Sequence, residues 1–219
     1  MEHLMRPRFL LIIPLFLFST VLFSTACERD LPDEVEEALP AAPEEDEESA
    51  ADPEEARFEE APADDPRREE AMAAIFELRD TLMGRVMSVA SEEGFPAAVT
   101  VCKEEAIALT EEVAEKHGLA LGRTSEQLRN PDNQPPDWFA DLSANVNVAA
   151  RFQEAETGEL RGVAPIRLAA GCTNCHGATD QLAEGVPEAL ALHYPDDQAT
   201  GYEEGDLRGY FWVEVPADR

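Results

Sequence analysis

A block of like charge limits what this chain can fold into more than any other feature. Residues 28–70 hold 20 Asp and Glu against four Arg, with six prolines spread among them. Its apolar side chains are too few to offset the entropy of ordering, and its carboxylates repel one another. Residues 27–65 therefore read as an extended acidic tether, with an acidic docking tail as the other reading. The whole chain has a formal net charge of −30. That sign opposes phosphate, so no nucleic acid is expected as a partner, and no purely electrostatic docking on anionic lipid.

The segment before the tether reads as a targeting sequence. His3, Arg6 and Arg8 precede an apolar run over residues 9–23, and the small residues Ser24, Thr25 and Ala26 follow. Charged, apolar and small-residue regions in that order describe a secretory signal. Phe23-Ser24-Thr25-Ala26-Cys27 resembles a bacterial lipobox, although Ser24 stands where a larger aliphatic residue is usual. Residues 1–26 are then a lipoprotein signal peptide, and Cys27 is the lipidated residue that ties the protein to a membrane. The alternative is an uncleaved anchor helix, for which the run is short when ~20 residues span a bilayer. Both readings place the bulk of the chain on the periplasmic or cell-surface side of a bacterial membrane.

Residues 66–219 are expected to form one domain. Asp65-Pro66 is a helix start, with Asp as cap and Pro at the first helical position. Ala71, Ile75, Leu78, Leu82, Val86 and Val89 follow at three- and four-residue steps, a helix stopped near Gly94. A second helix is expected from Pro96 to Gly118, with Ala98, Cys102, Ala106, Leu109 and Val113 on one stripe, aiming Cys102 into the core. Residues 122–136 read as a polar connection, and Trp138 to Val146 as a short third helix. Residues 151–156 and 160–168 flank Thr157-Gly158 as a hairpin, and Tyr210 to Val215 form a last strand. Helices followed by short antiparallel strands make an α+β domain.

Gly171-Cys172-Thr173-Asn174-Cys175-His176-Gly177 contains Cys-x-x-Cys-His, the attachment motif of a c-type haem. Each thiol adds across one haem vinyl group, two intervening residues match the vinyl separation, and the adjoining His falls under the iron as an axial ligand. Half of a zinc site is the competing reading, but zinc would need a further Cys or His pair. Cys102, His117 and His193 are isolated from one another in sequence. One covalent haem c is therefore expected on Cys172, Cys175 and His176.

Candidates for the other axial position are Cys102, His117, His193, Met72, Met83 and Met87, with Lys103 and Lys116 weaker. His117 beside Gly118 suits a helix C-terminus, His193 a surface loop, and Met72 and Met83 partly buried packing. Cys102 is the one Cys left once lipidation and two thioethers are assigned. A buried, inert thiol remains its alternative reading.

Val101-Cys102 with Glu105-Ala106, Gly122-Arg123-Thr124-Ser125, Leu128-Arg129-Asn130-Pro131 with Asn133, and the Cys-x-x-Cys-His segment occur in that order. Tyr194-Pro195-Asp196-Asp197, Ala199-Thr200-Gly201 and Gly205-Asp206-Leu207-Arg208-Gly209 follow. Together they resemble a PAS-like c-type haem domain family of bacteria and cyanobacteria, the Tll-type haem-c domain, over about residues 70–216. The resemblance implies an antiparallel sheet flanked by helices, with iron held between a His and a Cys. On this chain those positions are His176 and Cys102. Arg123, Arg129 and Arg208 lie in the matched motifs. A guanidinium can grip a carboxylate with two bonds, so Arg123 and Arg129 are the candidates for haem propionates. Loop-stabilising bonds to carbonyls are the alternative, and Asn130, Asn133 and Asp206 read as turn residues.

The function expected is a membrane-tethered periplasmic haem protein in redox sensing or low-potential electron transfer. A thiolate ligand donates electron density and favours ferric iron. With both axial positions filled, no enzyme is expected, and a peroxidase would need a distal acid–base pair that no motif supplies. The alternative is a CO or NO sensor whose Cys ligand leaves on reduction. A redox partner or membrane signalling protein is implied, and nothing in the sequence names it.

Overall fold

The computed structural model describes residues 60–144, 146 and 148–219. The signal segment, Cys27 and the acidic tether up to residue 59 lie outside the described residues.

Helix α1, Pro66–Glu92, begins where the sequence places it. The Asp65 carboxylate accepts from the Arg67 N–H at 2.9 Å, and Pro66 opens the first turn. Ala71, Ala74, Ile75, Leu78, Leu82 and Val89 are buried along it. Packed chain starts slightly before the expected boundary at residue 66. Ala61 is buried in the main core, and its N–H donates to Phe152 O at 2.8 Å.

The single helix expected from Pro96 to Gly118 is two, α2 (Phe95–Glu104) and α3 (Ala106–His117). They join at Glu105, whose carboxylate takes two bonds from Arg85 of α1, at 2.7 and 2.8 Å. Gly118, at φ 63°, ends α3 in the left-handed region that glycine enters at little cost.

Strands β1 (Ala120–Thr124), β2 (Arg151–Glu154), β3 (Leu160–Arg167) and β4 (Leu207–Val215) form one antiparallel sheet in the order β1-β4-β3-β2. β2 and β3 are the expected hairpin, and β4 the expected last strand, extended by three residues at its start. β1 overturns the reading of Gly122 onward as a polar connection: it pairs with β4 from Ala120↔Glu214 to Thr124↔Tyr210. Gly122 permits this, because a Cβ there would overlap the Trp212 ring.

Alternate strand residues face opposite sides. Leu121, Phe152, Leu160, Ala164, Phe211, Val213 and Val215 pack against α1 and α3 in the main core. Arg123, two residues along from Leu121 on β1, continues that face beyond the apolar stretch. The opposite face carries Val163 and Tyr210 under Leu142 and Val146, beside the short helix α4 (Phe139–Ser143). Trp138 meets Trp212 edge-on at 6.3 Å, and Phe139 meets Tyr210 at 5.4 Å. The domain is thus α+β, an antiparallel sheet flanked by helices. A turn at Ala170–Cys172 leads into α5 (Thr173–His176), and α6 (Val186–His193) packs on α2. Among the described residues no helix is long and apolar enough to cross a membrane.

Candidate functional site

The Cys-x-x-Cys-His segment folds as a tight helical turn. Thr173 Oγ1 donates to Ala170 O at 2.7 Å, and Asn174 Nδ2 to Gly171 O at 2.9 Å. Cys172, Cys175 and Cys102 are free thiols. Cys175 packs partly into the apolar cluster of Val99, Val186, Leu190 and Tyr194. Burial pushes its thiol up to about 11, against a lowering from Arg129, with Cys102 and Cys172 adding to the rise.

His176 is held in one tautomer. Its Nδ1 lies 2.8 Å from Ala199 O, and Arg208 Nε lies 3.3 Å from the same nitrogen. Both cannot be hydrogen bonds, since Nδ1 either donates or accepts. A carbonyl can only accept, and its contact is the shorter, so the proton sits on Nδ1 and the Nε2 lone pair is left free. Burial, then the charges of Arg129 and Arg208, depress the imidazole pKa to about 3, against a small rise from Ala199 O. The ring is therefore a neutral donor at any physiological pH, the form in which His binds a metal.

Neighbouring backbone holds the same turn. Gly201 N–H donates to Gly177 O at 2.8 Å, and Tyr202 N–H to His176 O at 3.0 Å. Arg129 is the hub. One of its amino nitrogens donates to Cys175 O at 2.6 Å and to Ala199 O at 3.1 Å, and lies 3.0 Å from the Asp197 carboxylate; its Nε reaches both Asp197 oxygens at 3.2 Å. Both side chains of this pair are over nine-tenths buried. Two of the three guanidinium nitrogens are thus committed within the chain. In the structure Arg129 serves as an internal clamp whose carboxylate partner is Asp197.

Arg123 is different. Its Nε is buried with no hydrogen-bond partner. Burial lowers its pKa, while negative charge at Cys102 or Tyr194 would raise it. A buried cation short of an acceptor is costly unless an anion completes it. Arg208 donates to Gln127 O at 3.1 Å, stacks over Tyr202 at 5.6 Å, and is likewise lowered by burial.

Cys102 belongs to this group. The stripe that aims it inward leaves it half-buried, at the site rather than in the main core. Burial raises its thiol, and the opposing pull comes from Arg123, Arg129 and Arg208 together. The fold thus assembles Cys102, Arg123, Arg129, Cys175, His176 and Arg208 from five separate stretches. In a chain of net charge −30, three convergent arginines make a local positive field. A free imidazole nitrogen, a thiol, two thiols at Cys-x-x-Cys spacing and an orphaned cationic donor fit an iron porphyrin with carboxylate side chains.

Other candidates lie elsewhere. His117 Nε2 is 2.9 Å from Glu77, which also takes Lys116 at 2.6 Å. His193 Nε2 meets Thr100 Oγ1 at 3.2 Å at the end of α6, not in a loop. Met72 packs on the main core, as expected, but Met83 is exposed, as is Met87. Lys103 rests on the Tyr194 ring, at 5.4 Å. Asn130 and Asp206 are the expected turn formers, accepting from Asp132 N and Glu203 N at 3.1 and 2.7 Å. An open groove of about 700 Å³ near Glu111, Glu115, Glu159 and Glu214 is acidic and remote from the Cys-x-x-Cys-His turn. Sequence reasoning missed the work of Asp197 and Ala199, whose part is set by backbone geometry.

The chain matches the Tll0287-like family model over residues 43–216. No curated protein matches it. Among solved structures, it resembles the crystal structure of the cyanobacterial haem protein Tll0287, with a TM-score of 0.52 and 22% sequence identity. The likeness covers 69% of this chain and 96% of that one, and it establishes the shared fold.

Proposed function

We propose, given that the chain belongs to the Tll0287-like family, that it holds one covalent haem through Cys172 and Cys175, with His176 and Cys102 as axial ligands. We read it as a redox-responsive or electron-transfer protein. The observation that carries this is that a neutral His176, its Nδ1 held by Ala199 O, and the Cys102 thiol both feel the charges of Arg129 and Arg208. The solved relative is itself a haem protein, which agrees with this reading. When bound, haem iron supplies a one-electron couple.

The chain's residues would shape that couple. Ala199 O orients His176 and adds to its basicity. Arg123 offers the donor for a propionate. Arg129 holds the attachment turn against residues 197–199. Cys102, as thiolate, favours the ferric state. With two protein ligands the iron has no open position, so we read no enzyme here. The acidic tether and a lipid on Cys27 would keep the domain near the membrane, outside the cytoplasm.

Burial that raises the Cys102 thiol favours its neutral form. That supports a second reading, a CO or NO sensor in which the thiol leaves once the iron is reduced.

The test is acid–acetone extraction followed by spectroscopy. Colour should stay with the denatured protein, together with a mass increase of one haem, and Cys172→Ala with Cys175→Ala should abolish attachment. The ferric protein should be low-spin with thiolate-type absorption. Cys102→Ala should keep the haem and turn it high-spin. A wild-type low-spin spectrum in Cys102→Ala would remove the thiolate from the mechanism. Prompt CO binding to the reduced protein would select the sensor reading.

A further inference from the structure

The chain that follows α6 is fixed by its own backbone before it meets His176. Asp197 N–H donates to Tyr194 O at 3.0 Å, closing a turn, and Gln198 N–H donates to Leu128 O at 3.1 Å. The Asp197 carboxylate then folds forward, its Oδ1 accepting from Ala199 N–H at 2.9 Å, the bond by which an Asp fixes the backbone two residues on. Ala199 is wholly enclosed, at 0% exposure. Beyond it, Gly201 and Tyr202 donate to Gly177 O and His176 O, so residue 199 is held from both sides.

The Ala199 carbonyl is shared. It lies 2.8 Å from His176 Nδ1 and accepts from an Arg129 amino nitrogen at 3.1 Å. A carbonyl oxygen has two lone pairs, so both bonds can form. They compete, because electron density drawn toward the guanidinium is not offered to the imidazole N–H. How hard Arg129 pulls depends on its counter-charge. Asp197 supplies that charge, 3.2 Å from the Arg129 Nε through both oxygens and 3.0 Å from its amino nitrogen, in a pair over nine-tenths buried. Water screens such a pair poorly. Asp197 therefore acts on Ala199 twice, directly at its N–H and through Arg129 at its C=O.

We infer that Asp197 is a positioning residue that sets how strongly His176 donates to iron, acting through Arg129 and the Ala199 carbonyl. This rests on the His176 ligation proposed above. A firmer bond from Nδ1–H makes the imidazole a stronger donor and favours ferric iron; a weaker bond does the reverse. With Asp197 ionised, part of the guanidinium charge is answered and the Ala199 carbonyl stays basic enough to hold the Nδ1 proton. Without that charge, Arg129 draws harder on the same oxygen and the imidazole loses its hold.

The test uses haem-loaded protein, reduced and under CO, a diamagnetic state whichever residue stands opposite His176. Proton resonance reads the ring-current shift of the His176 ring protons and the shift and solvent exchange of its Nδ1–H; the reduction potential is measured without CO. Asp197→Asn keeps the shape and an oxygen for Ala199 N–H but removes the charge. It should move the Nδ1–H resonance upfield, speed its exchange, and favour the ferrous form about tenfold, or about 59 mV for one electron. Arg129→Lys keeps a cation for Asp197, but one ammonium cannot span the acceptors that the guanidinium fork reaches. With the competing donor gone, Nδ1–H should move downfield and the ferric form should gain. Displacements of opposite sign support the inference. Displacements of the same sign, or none, overturn it, because a clamp that only stabilises the turn has no reason to split them. A raised potential in Asp197→Asn with a native Nδ1–H also overturns it, since the carboxylate then acts on the iron only as a distant charge. Should Asp197→Asn fail to load haem, Arg129→Lys decides by its sign alone: downfield supports, upfield or native overturns. If the unmodified protein lacks the upfield ring protons of a haem-bound imidazole, the ligation itself fails; if it shows them and neither variant moves Nδ1–H, only the role of Asp197 fails.

Discussion

Along α1 and the sheet the contacts are apolar: Leu78, Leu160, Val213 and Val215 are fully buried, and the core they build runs from Ala61 to Val215. Around the Cys-x-x-Cys-His turn the opposite holds. No residue of Ala170–Cys172 or Thr173–His176 is fully buried, so packing alone cannot hold the turn. It is held by bonds from Gly201 and Tyr202 backbone, from Ala199 O to the imidazole, and above all by Arg129. The two ends answer different demands. A core needs density; a site that must admit a large planar ligand needs its walls positioned while its interior stays free of side chains, which directed polar bonds can do. Buried polar networks work only when their members are satisfied. The Arg123 Nε is a member of this network left without a hydrogen-bond partner.

The largest effect should come from breaking the polar end. Arg129→Leu leaves Asp197 buried without its cation and strips the bonds on Cys175 O and Ala199 O. Removing one partner of a buried pair costs about 3–5 kcal/mol. The loss should be visible in chemical denaturation and accompanied by a changed His176 environment, read as an altered haem spectrum. Loss of stability with an untouched spectrum would show that the attachment turn does not depend on the clamp.

Leu78→Ala attacks the other end. Leu78 is fully buried in the main core, and such truncations cost about 2–5 kcal/mol. Here the spectrum should stay native while the unfolding midpoint drops. The two substitutions together sharpen the comparison: similar losses in stability, but a spectral change from one alone. If Leu78→Ala also perturbs the haem bands, the core and the site form one mechanical unit.

How much of this could be read in advance follows the same division. The periodicity of Ala71, Ile75, Leu78 and Leu82 announces α1, because one buried face leaves a repeat in the sequence. Cys172, Cys175 and His176 are legible because covalent chemistry demands their spacing. β1 was not, since Ala-Leu-Gly-Arg-Thr carries no strand signal of its own; it is a strand because β4 pairs with it and Trp212 needs the room Gly122 leaves. The break at Glu105 coincides with a bond from Arg85, twenty positions earlier, and α6 starts at a Gly185 at φ 79° ahead of Pro187. Arg129 was visible as a candidate, but its work depends on Asp197, 68 residues away, and no local pattern records that. Met83 lies on the first helix with the apolar repeat, yet faces solvent, because it falls one position past Leu82 on the stripe.

The smallest effect sits at the start of α1. Asp65 both caps α1 and pairs with Arg67, accepting from its Nε at 3.1 Å and approaching its amino nitrogen at 2.7 Å. The Arg67 side-chain bond holds the Asp65 carboxyl below its ordinary value, against the rise that burial would cause. A carboxyl depressed in the folded state stabilises it most above the unfolded value near 3.8, and loses that contribution as pH falls through 3.8 toward the folded value. Asp65→Asn keeps an oxygen to accept from the Arg67 N–H but removes the charge. Asp65→Ala removes both, at a typical cap cost of about 1 kcal/mol. At neutral pH the order of stability should be native, then Asn, then Ala. Between about pH 4 and pH 3 the native protein should fall toward Asn, because only the native carboxylate can be lost to protonation. Equal losses from Asn and Ala at neutral pH would assign the whole effect to the ion pair. A gap between native and Asn that persists unchanged to pH 3 would remove the ion pair from the account and leave α1 started by its cap and Pro66 alone.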